Sequence, residues 1–282
     1  MPLIECHFHD RISFDCEPSV TLDAMCDAAL RAGVDTLALT NHYELDSILA
    51  GRLQPPDYEA EEQELLAARE KYAGRLTILR GIEIGQPYAD PEACEKLLRA
   101  RPYDVVLGSV HLLSNGLDFY DYRNLELSDE EFRAMWEDYL GLLLKNASVS
   151  PVDVQTHITY PLRYIPPERR ERITGMPGKA LEQFDPILRK LVERGIALEI
   201  NTSTVRRPAA LLPEPDPGLA LLKRYRELGG ELLSIGSDAH RPADVGAGLR
   251  EGAMLAEQAG FRYLTVFRER KPHSIPITEV LS

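Results

Sequence analysis

The sequence predicts a single-domain α/β protein built on a parallel sheet closed into a barrel, and three observations predict it. Seven short β-rich runs recur along the 282 residues. Amphipathic segments lie between them, as in βα units in series. The polar ends of the runs collect histidines and acids, and the C-terminal ends of barrel strands form the face that holds an active site. A doubly wound open sheet would concentrate its ligand groups at one switch point and often opens on a glycine-rich phosphate loop; no such loop follows the first run.

The first run, LIECHFH, carries His7 and then His9 one residue apart, so that in a strand both face one side while Phe8 turns to the other. TLDAMCDAALRAGV follows, with Thr at its start, apolar residues at helical spacing and Gly at its end. VDTLALTNH ends in His42, and the loop-like GRLQPPDYEAEE leads into the helical YEAEEQELLAAREKYAG. LTILRGIEIG brings Glu83, and DVVLGSVH ends in His111. The cluster DFYDY (Asp118 to Tyr122) then precedes the helical SDEEFRAMWEDYLGLLLKNA.

VDVQTHI supplies His157 and is followed by PLRYIPPERRERITGMPGK, which reads as a loop. FDPILRKLVERG is helical, IALEINTS is the sixth strand, and the proline-rich residues 206–218 read as a loop before the helical PGLALLKRYRELGG. LLSIGSDAH, the seventh strand, ends in Asp238 and His240, whose spacing repeats that of the first pair. FRYLTVFRERKPHSIPI is an eighth extended run, so residues 261–282 are expected as an extended C-terminal segment packed on the barrel of a 1–282 domain.

A formal charge of −13 argues against a general nucleic-acid or anionic-membrane surface, so an anionic ligand needs a local positive site. No stretch is long and apolar enough to span a bilayer, and MPLIECHFHD lacks a basic-then-apolar leader, which makes a cytoplasmic protein the expectation. The four cysteines form no CxxC pair and read as reduced packing residues.

Six of the seven histidines fall at strand ends, with His273 alone in the C-terminal tail. Imidazole and carboxylate together suit zinc, manganese or iron, and the absence of cysteine at these ends fits a catalytic centre better than a closed structural one. Asp15, in the loop after the first strand, adds a further carboxylate. Two pincers, His7/His9 and Asp238/His240, would hold more than one ion.

HFH with Asp15, TNH, GIEIG, GSVH, THI and GSDAH resemble, in order and spacing over nearly the whole chain, the PHP (polymerase and histidinol phosphatase) superfamily. GIEIGQP, SVHLL, YPLRYI and EINTS resemble its histidinol-phosphate phosphatase branch. The resemblance implies a distorted (β/α)7 TIM-like barrel with two to three divalent metal ions. His7, His9, Glu83 and Asp238 would hold one, Glu83 with His111 and His157 a second, and Asp15, His42 and His240 a third. It also implies a metal-dependent phosphomonoesterase of histidine biosynthesis, turning L-histidinol phosphate and water into L-histidinol and phosphate. Two positions depart from the pattern: Asn41 stands where the second motif usually has Asp, and Thr156 where the fifth usually has Gly.

On this reading a metal-bridging hydroxide is the nucleophile, and Asp238 or His240 moves the proton to or from the leaving alkoxide. Arg163 and Arg206 follow the fifth and sixth strands and offer guanidinium forks for phosphate. The DFYDY cluster, with Tyr120 and Tyr122, would meet a cationic imidazole and amine. Two other readings stay open: a different phosphate ester (nucleotide, sugar phosphate or phosphotyrosine), or a non-catalytic metal-binding module. All nine ligand positions being filled disfavours the module. The expected partner is a small phosphate ester rather than nucleic acid or membrane.

Overall fold

The computed structural model describes residues 3–123, 125–176, 179–206 and 214–282. In chain order the elements are β1 (Leu3–Phe8), α1 (Leu22–Ala32), β2 (Val34–Leu39), β3 (His42–Glu44), α2 (Leu45–Leu49), α3 (Tyr58–Lys71), β4 (Thr77–Gly85), α4 (Pro91–Ala100), β5 (Val105–Ser109) and α5 (Asp129–Val149). There follow β6 (Val154–Gln155), α6 (Pro167–Thr174), α7 (Asp185–Arg194), β7 (Ala197–Asn201), α8 (Leu219–Glu227), β8 (Leu233–Gly236), α9 (Leu249–Gln258), β9 (Tyr263–Arg268), β10 (Lys271–Pro276) and α10 (Ile277–Leu281). Seven parallel strands run in the order β1-β2-β4-β5-β6-β7-β8, and the short β3 pairs with the end of β4. The expected barrel is therefore present, nearly closed, with helices around it.

Helix boundaries follow local chemistry. Thr21 accepts from the Ala24 amide at the start of α1, and Gly33 ends it in a left-handed conformation. Ser128 and Glu131 form a reciprocal capping box on α5. From these helices Met25, Cys26, Trp136, Tyr139 and Leu143 enter one continuous apolar core with the strand residues. Among the described residues no helix is long and apolar enough to cross a membrane.

Between β1 and β8 the sheet closes through one bridge, Phe8 to Ala239, rather than through a ladder. The Asp238 amide donates to the His7 carbonyl (2.7 Å) and the His9 amide to the Ala239 carbonyl (2.9 Å). Glu5 completes the seam, its buried carboxylate accepting from the Ser237 and Gly246 amides. Gly236 makes the approach feasible: a Cβ there would lie 2.3 Å from the His7 Cβ.

Two expectations are corrected here. The stretch after the fifth strand is not simply loop, since PERRERIT forms α6, with Pro167 at its first turn and Gly175 as a left-handed cap. The eighth run is an antiparallel β9–β10 hairpin followed by α10. Its two-residue turn has both Glu269 and Arg270 at positive φ, a conformation usually given to Asn or Gly. The turn is anchored under the barrel, where the Arg270 guanidinium grips Asp153 and the Pro151 carbonyl. Most of the proline-rich loop at 206–218 lies outside the described residues.

Glu61 on α3 is buried against the sheet, where Asn41 donates to it at 3.4 Å. Burial, aided by the nearby Asp10 carboxylate, pushes its pKa up to about 7. Its folded pKa thus exceeds the unfolded one, so the stability present below about pH 4.3 is lost as pH rises through the folded value. Glu61→Gln removes that slope. In metal-stripped protein, the variant should gain a few degrees of melting temperature on wild type between about pH 5 and about pH 8. A pH-independent difference would contradict the assignment.

Candidate metal centre

Glu83 sits at the centre of the barrel mouth, in register with His42 on β3. Its two oxygens face different imidazoles. Oε2 lies 3.0 Å from His42 Nδ1, 3.2 Å from His7 Nε2 and 3.4 Å from His9 Nε2. Oε1 lies 3.2 Å from His157 Nε2 and 3.3 Å from His111 Nε2. Asp238 Oδ1 approaches His9 Nε2 (3.5 Å) and His7 Nε2 (3.8 Å), while Asp15 Oδ2 is 3.0 Å from His240 Nε2 and 3.5 Å from His42 Nε2. All nine residues singled out in the sequence thus come together at one end of the barrel.

The pincer geometry holds for one pair and not for the other. The His7 and His9 rings lie 5.1 Å apart on one side of the chain. β8 ends at Gly236, however, and Asp238 has a left-handed φ of 54°, so Asp238 and His240 are not successive same-face strand residues. His157 is also at positive φ (21°). Such backbone is costly for a residue with a side chain and concentrates at functional sites.

A further layer, which the sequence reading missed, orients the rings. Glu199 on β7 accepts from His7 Nδ1 at 2.5 Å and takes the His157 amide on its other oxygen. Glu44, two residues past His42, pairs with His111 Nδ1 at 2.8 Å. Gly85 leaves room for it, since a Cβ there would lie 2.0 Å from Glu44 Oε2. Ser109 donates to Glu83 Oε1, and Thr156, the departure from the expected glycine, places its hydroxyl 2.6 Å from Ser109 Oγ. With Nδ1 of His7 and His111 engaged, Nε2 of each is turned toward Glu83, an arrangement common around metal-ligating histidines. The sequence signal for Glu199 was an acid inside an otherwise apolar strand, whereas Glu44 only ends the short β3.

Electrostatically the cluster consists of buried anions offset by imidazolium protons. Burial would strip His7 and His42 of their protons, but the surrounding carboxylates, Glu199 foremost for His7 and Glu83 for His42, hold both well above the ordinary imidazole value. His111 is likewise pushed up to about 10 by Glu44 and Glu83 against the effect of burial. Burial and the adjacent His240 and His42 push His9 down to about 3. Glu83, despite its burial, is held well below the carboxylate range by His7, His42 and His111.

The residues fit divalent ions. Buried His7 Nε2, His9 Nε2 and His42 Nδ1 converge within 3.0–3.4 Å of the buried Glu83 Oε2, yet none of the four atoms is aligned for a hydrogen bond among the described residues. His7/His9/Asp238, His42/Glu83/His111 and His9/His42/His240 each bring ligand atoms within 4.8 Å of one another. Asp15, Cys16 and His240 form a fourth such group, so Cys16, which packs against the core, also lies at the rim of this site.

A cavity of about 330 Å³ opens on the cluster, a size suited to a small molecule. Glu83, His111, His157 and Asp238 line it together with Arg163, Asp118, Tyr160, Tyr164 and Phe14, among others. Tyr120 and Tyr122, expected as substrate contacts, do not line it. Tyr120 stacks under Arg123 on the surface, and the Tyr122 hydroxyl accepts from Asn115. The residue of that segment that faces the cavity is Asp118, which accepts from the Tyr160 hydroxyl at 2.8 Å. Arg206 donates to the Ser237 and Asp238 carbonyls and lines a smaller cavity of about 260 Å³ alongside. Its guanidinium therefore holds the Asp238 loop, whereas Arg163 is the arginine of the main cavity.

Residues 5–203 match the family model of the PHP domain. The chain is 30% identical to the probable histidinol-phosphatase of Deinococcus radiodurans, over 86% of this chain and 89% of that protein. It is 26% identical to the histidinol-phosphatase of Lactococcus lactis, over 96% of each. A crystal structure of histidinol phosphate phosphatase from the same bacterium, complexed with zinc, L-histidinol and phosphate, superposes with a TM-score of 0.77 at 22% identity, covering 96% of this chain and 98% of that one. That structural likeness speaks to the fold.

Proposed function

Because the chain belongs to the PHP domain family, we propose that it is a metal-dependent phosphatase that hydrolyses L-histidinol phosphate to L-histidinol and phosphate. The observation that carries the substrate is the polarity of the cavity. It is lined by the His/Glu cluster and the buried Arg163, which lies 5.1 Å over the Tyr160 ring, and by Asp118, which pairs with the hydroxyl of that ring. A phosphate ester whose other end is an amine and an imidazole matches both.

Two to three divalent ions would be held here, with zinc, bound in the Lactococcus relative, the first candidate beside manganese and iron. His7, His9, Glu83 and Asp238 would hold one, Glu83, His111 and His157 the next, and Asp15, His42 and His240 the third. Bound there, such ions lower the pKa of water and neutralise phosphoryl charge.

The chain's own groups do the rest. Arg163 offers its fork to the phosphoryl oxygens and Asp118 accepts from the substrate amine, which together set the ester in line with the cluster. Tyr160 and Tyr164, whose rings pack edge-on 5.3 Å apart, wall the imbedded face of the imidazole. Of the two residues assigned to proton movement, His240 is the more accessible, and its Nδ1 is 3.1 Å from the Asp238 carbonyl. With Nδ1 so engaged, its Nε2, 3.0 Å from Asp15 Oδ2, is the atom it would offer to the third ion, so His240 can move a proton only when that ion is not held through it.

The test compares kcat/KM for histidinol phosphate with that for p-nitrophenyl phosphate at saturating metal. Wild type should prefer histidinol phosphate strongly. Asp118→Asn should raise KM for it by roughly 10- to 100-fold, the loss of one charge-assisted hydrogen bond, while p-nitrophenyl phosphate is unaffected. Equal kcat/KM for the two esters in wild type would overturn the substrate, and an equal effect of Asp118→Asn on both would overturn the role of Asp118.

A further inference from the structure

We propose that Ser13 is a positioning residue for the metal centre, fixing His9 as the tautomer that carries its proton on Nδ1 and turns the Nε2 lone pair toward Glu83 and Asp238. This rests on the reading of His9 as a ligand.

One buried chain of contacts fixes where each proton lies. Asn41 Oδ1 lies 2.9 Å from the Asp10 amide, which can only donate, and its Nδ2 lies 2.9 Å from Asp10 Oδ1, a carboxylate oxygen that accepts. The amide orientation is thereby fixed. Ser13 Oγ is 3.0 Å from the same Asn41 Oδ1, a carbonyl oxygen, so the serine must donate there. A hydroxyl has one proton, and it is now spent.

Toward its other neighbours Ser13 Oγ can only accept. One is the His42 amide at 3.1 Å; the other is His9 Nδ1 at 3.2 Å. His9 Nδ1 therefore bears the hydrogen, and Nε2, 3.4 Å from Glu83 Oε2 and 3.5 Å from Asp238 Oδ1, presents its lone pair to the site. His7 and His111 are oriented by carboxylates, but His9 has only this hydroxyl, whose direction is set one step further out by Asn41. That gives Asn41 a role of its own: its Oδ1 meets two donors, the Asp10 amide and Ser13, while its Nδ2 meets two acceptors, Asp10 and Glu61. Ser13 and Asn41 are both buried, so water does not compete for these contacts.

The test has two readouts besides turnover. Zinc affinity, measured by competition with a chromophoric chelator, should fall by roughly 10- to 100-fold in Ser13→Ala, the usual cost of losing the partner of a ligating histidine. Ser13→Thr, which keeps the hydroxyl, should stay close to wild type. In zinc-loaded wild type, two-bond proton–nitrogen correlations of the imidazoles, with His9 identified by its loss in His9→Gln, should show His9 protonated on Nδ1. This last measurement needs no folded Ser13 variant. Wild-type zinc affinity in Ser13→Ala, an equal loss in a folded Ser13→Thr, or a His9 proton on Nε2 would each overturn the proposal. Failure to hydrolyse histidinol phosphate, with these results as expected, would overturn the substrate alone.

Discussion

Glu83→Gln should lower kcat/KM by about 10³-fold or more, because charge stabilisation of several kcal/mol is lost and each 1.36 kcal/mol is tenfold in rate. It should also lower the metal content of the purified protein. Glu83 divides its oxygens between two groups of imidazoles, His7, His9 and His42 on one side and His111 and His157 on the other. Gln is nearly isosteric and keeps an oxygen for the Ser109 hydroxyl, so the fold should survive. What it loses is the anion: in place of one oxygen it sets an amide that can only donate, toward histidines that must themselves offer lone pairs. Metal per chain, measured by elemental analysis, and kcat/KM on the same sample check the result. Full occupancy with near wild-type turnover would show that Glu83 does not join the two halves.

Much of this arrangement was legible in the sequence because it is periodic or punctuated. The seven βα units announce themselves through apolar runs and helical segments, several of them bounded by Asp, Thr or Ser caps and Gly ends. The conspicuous site residues lie where barrel strands terminate. The less legible parts depend on long-range pairing. Glu5 reads as a polar interruption of the first strand, yet it seals the seam to residues more than 200 positions away. Glu199 and Glu44 are single acids whose meaning appears only when His7 and His111 arrive beside them. The β9–β10 hairpin escaped because its turn is Glu-Arg rather than Asn-Gly, its conformation held by contacts with Asp104 and Asp153 on other parts of the chain.

DFYDY is only half legible for the same reason. Its acids and rings are adjacent in sequence, but Asp118 caps a short 3-10 turn, Phe119–Tyr122, and the turn divides them. Phe119 enters the core, Tyr120 points to solvent and Asp118 faces the cavity. Composition could indicate that an acid and aromatic rings belonged near the substrate. The tyrosine rings that line the cavity, Tyr160 and Tyr164, come instead from the segment after β6.

Arg163→Ala should cost about 10²- to 10³-fold in kcat/KM, the scale for removing one preorganised donor to a developing anion. The guanidinium is buried and steadied on one edge only. Nη2 donates to Ser203 Oγ (2.8 Å) and Asn201 Oδ1 (3.3 Å), and the group lies 5.1 Å over the Tyr160 ring. Nη1 is 3.8 Å from Asp238 Oδ2, too long for a hydrogen bond, and the buried Nε has no partner among the described residues. A buried donor left in this way is expensive unless a ligand completes it, and phosphate takes two parallel N–H groups from arginine. Lys at this position would supply charge without the fork, so Arg163→Lys should recover little. Because the Asp238 carboxylate is held chiefly by His7, with His9 and His240 adding to it, metal content should change less than turnover. Inhibition by inorganic phosphate gives the direct reading: it should weaken in parallel with kcat/KM. If phosphate inhibited Arg163→Ala as strongly as wild type, the arginine would be supporting Asp238 and not binding the substrate.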